Sequence, residues 1–184
     1  MDLIHGMIED LNRENDQFFE ACKRESDRGL ALVAAEFFDA TLERLLRARF
    51  SAGLKSQPKL IKPLFEGFAP LSTFSSKISV CYAINLLQDW MASDLDLIRR
   101  IRNDFAHSLE SKTFRDQKIS GMVDQLASLA KLIKGRPYIS GVTSREKCVL
   151  ACARTGALLQ AKVVVLESDG PDEMKRNFMI DPKL

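Results

Sequence analysis

A single-domain, all-α helical bundle is the fold class this sequence predicts, on three observations. Apolar residues recur at helical spacing along nearly the whole chain. Only nine glycines and six prolines interrupt 184 residues, which leaves room for long helices. The one β-branched run, Val163–Val164–Val165, continues a helical pattern and opens no strand. A chain of this length can bury one real core. It divides into an N-terminal helical extension (1–24), a main helical domain (25–167) and a C-terminal tail (168–184).

The elements follow in order. Leu3–Lys23 reads as helical, with a break near Asn12. Ser26 or Asp27 caps a helix from Arg28 to Phe50, on which Leu30, Val33, Ala34, Phe37, Phe38, Thr41 and Leu45 share one side. Gly53 and Pro58 end it and open a loop. Leu60–Phe65 is a short helix and Gly67–Pro70 a turn, with Phe65, Phe68 and Phe74 expected to be core packing. Ser72 or Thr73 caps a helix running to Leu87. Ser93 caps the next, Asp94–Leu109, with Asp94 and Asp96 at its positive end. Ile119–Ile133 is one helix, and Gly135–Gly141 a loop around Pro137. Thr143 and Glu146 form a capping box for a helix reaching Glu167. The tail from Asp169 carries Gly170, Pro171 and Pro182 and is expected on the surface.

Composition excludes several function classes. With 46% hydrophobic and 28% charged residues the chain is ordinary for a globular protein. It lacks a run of about 18 apolar residues, so no membrane span is expected. Its start, MDLIHGMIEDLNREND, is acidic and amphipathic, unlike a signal peptide. A cytoplasmic protein is therefore the expectation. Four cysteines (Cys22, Cys81, Cys148, Cys152) form no CxxC, and His5 and His107 are the only histidines. No metal and no cofactor are expected, and the thiols read as buried and reduced.

The net charge of +2 implies no nucleic acid by itself. Between Arg44 and Phe65, however, stand Arg44, Arg47, Arg49, Lys55, Lys59 and Lys62 without one acid. This is a candidate basic binding patch for phosphate or an acidic partner. A solvated helix end and loop is the simpler reading and is favoured over it.

The most informative stretch is Asp94–Ser108, DLDLIRRIRNDFAHS. On a helical wheel Leu95, Ile98, Ile101, Phe105 and Leu109 form an apolar arc, while Asp96, Asn103 and His107 face the other way. Arg102 falls inside the apolar arc. A guanidinium there must find carboxylates or carbonyls, and Glu25, Asp27, Glu36 and Asp39 are the candidates. Arg102, Asn103 and His107 are the candidate catalytic set. Arg102 would stabilise a phosphate, and His107 would serve as acid or base at a ribose hydroxyl. Arg102 and His107 lie about 140° apart on that wheel, so they would converge most naturally at a subunit interface. The alternative is structural, with Arg102 as a helix–helix tether and His107 at a helix C-terminus.

ESDRGLALVAAEFFDATLERLL (25–46), LFEGFAPLSTFSSKISVCYAINLL (64–87) and DLDLIRRIRNDFAHS resemble the mannitol operon repressor family, MtlR. REKCVLACARTGALL (145–159) is similar to that family's terminal helix. The resemblance covers about residues 25–160 and implies an MtlR-like all-α bundle acting in transcription regulation. No helix-turn-helix is apparent, so a protein-binding corepressor or adaptor is favoured over direct DNA reading. Arg102 to His107 is also similar to the R-x4-H motif of HEPN-type ribonucleases. That resemblance implies a HEPN-like fold with Arg102, Asn103 and His107 at a dimer interface.

The leading expectation is a non-enzymatic regulator with a protein partner, forming a homodimer, with nucleic acid not favoured and no membrane. The alternatives are a metal-independent ribonuclease using Arg102 and His107, or an immunity or antitoxin-like binder.

Overall fold

The computed structural model describes residues 13, 15–53, 58–108, 111–133 and 141–168. Helices and the turns between them make up these residues, with no strand among them. In chain order the helices are α1 (15–24), α2 (Asp27–Gly53), α3 (Phe74–Ala83), α4 (Asp89–Ala106), α5 (Gln117–Asp124), α6 (Ala127–Ile133) and α7 (Ser144–Glu167). The all-α bundle is as expected.

α2 is the spine. Ser26 caps it, its Oγ accepting from the Gly29 N–H at 3.0 Å. Of the expected core side, Leu30, Ala34, Phe38, Thr41 and Leu45 are buried, and Val33 and Phe37 half-buried. α2 packs chiefly on α7 and α4, then α3. α1 joins it through aromatic rings: Phe18 stacks on Phe37 at 4.1 Å and meets Phe38 edge-on. α7 approaches the same place closely. A Cβ on Gly156 would lie 2.9 Å from the Phe37 ring, so a larger residue there would force that ring to move. Thr143 and Glu146 form the expected capping box at the start of α7.

Several boundaries differ from the sequence expectation. The segment Leu60–Phe65 is two 3-10 turns, Pro58–Leu60 and Lys62–Leu64. Thr73 caps α3 with Ser76, but α3 stops at Ala83 and not at Leu87. Asn85 takes a left-handed φ of 59°, which turns the chain so that Leu86 and Leu87 drop into the core. α4 therefore begins at Asp89, after Gln88 in extended backbone, and Ser93 lies inside it instead of capping it. Asp94 is likewise not in a first turn but in the helix interior, fully buried.

That burial explains a further difference. The expected helix Ile119–Ile133 is broken at Gln125–Leu126 into α5 and α6. Asp94 Oδ1 and Oδ2 accept the backbone N–H groups of Ala127 and Ser128 at 2.7 and 2.8 Å. The carboxylate of one helix thus caps the N-terminus of another. A short turn joins α5 to α6, and Ser128 and Leu129 at the start of α6 are buried.

α7 is the one helix among the described residues long and apolar enough to cross a membrane, a length of apolar chain the sequence reading did not pick out. Burial explains it, since more than half of its apolar window lies inside the bundle. The predicted loop at 135–141 falls outside the described residues except for Gly141, and so does the whole tail from Asp169.

Candidate functional site

α4 positions the residues singled out from the sequence. Leu95, Ile98, Ile101 and Phe105 are buried as its apolar arc requires, while Leu109 lies outside the described residues. Arg102 is half-buried at the edge of this arc. It lines a cleft of about 580 Å³ with Leu32, Val33, Ala35, Glu36 and Asp39 of α2 and Ser72–Phe74 at the start of α3.

The expected buried ion pair at Arg102 is not formed. Among the described residues Arg102 has no hydrogen-bond or ion-pair partner. Of the four candidate carboxylates, Glu25 is exposed and does not line this cleft, and the other three stand as follows. Asp27 is taken by Arg145, whose Nη1 lies 2.6 Å from its Oδ1. The same guanidinium donates to the carbonyls of Cys22 and Glu25. The other Asp27 oxygen accepts the Phe114 N–H at 3.0 Å. Asp39 is taken by Lys77. Glu36 faces the cleft, exposed and unpaired among the described residues.

Among the described residues the buried cation is Lys77, which the sequence reading missed. Its side chain is 4% exposed and reaches Asp39 Oδ2 at 3.0 Å and Glu43 Oε2 at 2.8 Å. Burial alone would lower the Lys77 pKa, but hydrogen bonds to Glu43 and Asp39 outweigh it and the net shift is upward. Glu43 is the mirror case: burial pushes its carboxyl up, yet Lys77 and Arg47 hold it below the ordinary value. No local signal marks Lys77, because SSKIS reads as a solvated helix start.

Asn103 is half-buried, and its carbonyl accepts the His107 N–H as α4 ends. His107 itself is exposed and does not line the Arg102 cleft. Arg28 donates to the neighbouring Ala106 carbonyl at 2.9 Å, tying the C-terminus of α4 to α2. Within this chain Arg102 and His107 therefore face different surroundings.

The basic run acquires acids from elsewhere in the fold. Arg44 makes a two-pronged pair with Glu167 at 2.8 and 2.7 Å. Arg47 pairs with Glu43 and lies 4.3 Å over the Phe65 ring. Lys62 is 3.5 Å from Glu66. Arg49 and Lys59 are exposed, and Lys55 lies outside the described residues. Phe65 and Phe74 are buried as expected. Phe68 is the exception: at 109% relative exposure it projects fully into solvent.

The four cysteines are free and buried. Burial pushes the Cys22 and Cys81 thiols up to about 12, so both stay protonated and unreactive. A hydrogen bond with Cys148 and burial hold Cys152 high as well.

The comparisons with known proteins agree on the fold. The X-ray structure of the MtlR–HPr complex from Escherichia coli contains a chain similar to this one, with a TM-score of 0.61 and 17% identity. The match covers 82% of this chain and 98% of that one, and at this identity it speaks for the fold alone. No curated protein matches the sequence. The family pattern described as mannitol repressor, MtlR, matches residues 14–152, from α1 into α7. The chain belongs to the mannitol repressor family.

Proposed function

We propose that this protein is a non-enzymatic regulator that works by binding another protein, with an HPr-type protein as the first partner to test. One observation carries the reading: the chain belongs to the mannitol repressor family and shares the fold of an MtlR that was solved in complex with HPr. The surface supports it. Phe68 stands on a loop fixed by backbone hydrogen bonds from Leu71 to Leu64, Ala69 to Glu66 and Ser72 to Ala69. Gly67, with φ +62°, makes the turn that presents it. A fully exposed aromatic ring on a well-braced loop is the kind of anchor that carries protein–protein affinity.

Titration of the full chain with HPr from the same organism, by calorimetry, tests this. Saturable binding is expected, with Phe68→Ala weakening it by about tenfold or more and leaving the melting temperature unchanged. Absence of HPr binding would remove that partner. A different result would overturn the non-enzymatic reading altogether: cleavage of cellular RNA in EDTA by the wild type that a normally folded His107→Ala variant loses.

A further inference from the structure

We infer that the cleft between α2, α3 and α4 is a binding site for a small zwitterion of amino-acid or dipeptide size, held by its anionic group on Arg102 and by its cationic group on Glu36. Nothing in the proposed partner binding requires this site, and Phe68 is not among the residues that line it.

The cleft's volume of about 580 Å³ falls in the range of small-molecule sites. Its walls are mixed in the way such sites are. Leu32, Val33, Ala35 and Phe74 supply apolar surface, and Leu32 is 42% exposed although it is a large aliphatic residue. Arg102 supplies a planar fork of N–H donors suited to a carboxylate or other oxyanion. Half-buried Arg102 has no acceptor among the described residues. Two of the carboxylates expected for it, Asp27 and Asp39, and the nearby Glu43 are engaged by other cations. Asp39 Oδ2 and Glu43 are held by Lys77, and Asp27 by Arg145.

The opposite wall excludes a purely anionic ligand. Glu36 is an exposed carboxylate without a partner among the described residues. Asp39 Oδ1 is buried and has no hydrogen-bond partner, while its sister oxygen serves Lys77. A simple dianion would meet Glu36 and be repelled, and a simple cation would meet Arg102, while the Asp39 charge is already met by Lys77. A ligand with both charges and a short apolar body satisfies each wall at once.

The test uses the full chain and a panel of the free α-amino acids and their dipeptides at millimolar concentration, read by thermal shift and then calorimetry. Glutarate and a diaminoalkane are the controls carrying one sign of charge. At least one zwitterion is expected to raise the melting temperature of the wild type, and neither control to match it. Arg102→Gln should weaken binding of that zwitterion by about tenfold or more. Glu36→Gln, an exposed change that leaves the fold intact, should weaken it as well, and Phe68→Ala should not. Three results would each overturn the inference: no zwitterion stabilises the wild type, the shift survives in Arg102→Gln, or Glu36→Gln binds as tightly as the wild type. Because HPr binding is read through Phe68, either conclusion can fail without the other.

Discussion

Replacing Asp94 by alanine is expected to lower folding stability by about 3 kcal/mol, roughly 1–2 for each of the two backbone N–H groups left without an acceptor. Both groups, on Ala127 and Ser128, meet a carboxylate that is completely buried, so water cannot easily replace it. The loss is large against the roughly 5–15 kcal/mol typical of a domain. Urea unfolding checks it: the midpoint should fall with the slope unchanged. The amide of Asp94→Asn keeps one acceptor oxygen, so that variant should recover part of the loss. A midpoint equal to wild type in Asp94→Ala would show that α6 does not depend on this cap.

The second large effect belongs to Lys77→Met. The substitution removes the charge but keeps much of the volume, and it leaves Asp39 and Glu43, 26% and 29% exposed, without their shared cation. Both carboxylates keep access to water and Glu43 keeps Arg47, so the expected loss is about 1–3 kcal/mol. The triple variant that also carries Asp39→Asn and Glu43→Gln should regain most of that, since no bare charge remains. The pH dependence has a definite sign. The Glu43 pKa is lowered from 4.5, so its contribution is complete above that value and fades as pH falls through the folded pKa. The Lys77 pKa is raised from 10.5, so its contribution is complete below that value and fades as pH rises through the folded pKa. The stability gap between wild type and Lys77→Met should therefore be widest between these limits and narrow at the acid end. Denaturant melts at several pH values measure it, and a gap independent of pH would contradict the assignment.

These two residues also mark what sequence could not reveal. Local rules worked where both halves of an interaction lie within one turn. The Thr143–Glu146 box is visible as a spacing, and the α2 and α4 apolar sides are visible as periods. Asp94 and Lys77 look like surface residues, because their partners sit 33 to 38 residues away. The break between α5 and α6 was hidden for the same reason, as its cause is a side chain on α4. Arg102 stands inside the apolar arc on the wheel, but its surroundings depend on where α2 and α3 cross α4. Phe68 was assigned to the core by its chemistry alone. Its exposure follows from the turn at Gly67, whose consequence for the next side chain no spacing rule encodes. The basic run looked uniform until Glu167, far along the chain, arrived beside Arg44.

The Arg145 clasp has a consequence for how the chain matures. This one guanidinium gathers the end of α1, the start of α2 and, through Asp27, the Phe114 segment. It lies 118 residues after Asp27, on the helix that covers the largest share of α2. The spine of the bundle thus leaves the ribosome long before the element that shields it. Until α7 arrives, the apolar side of α2 and the rings of Phe37 and Phe38 have no permanent cover on that flank. Such late, long-range closure slows folding and prolongs the exposure of sticky surface. On this order of synthesis α7, the last of the described helices, is the element that closes that flank.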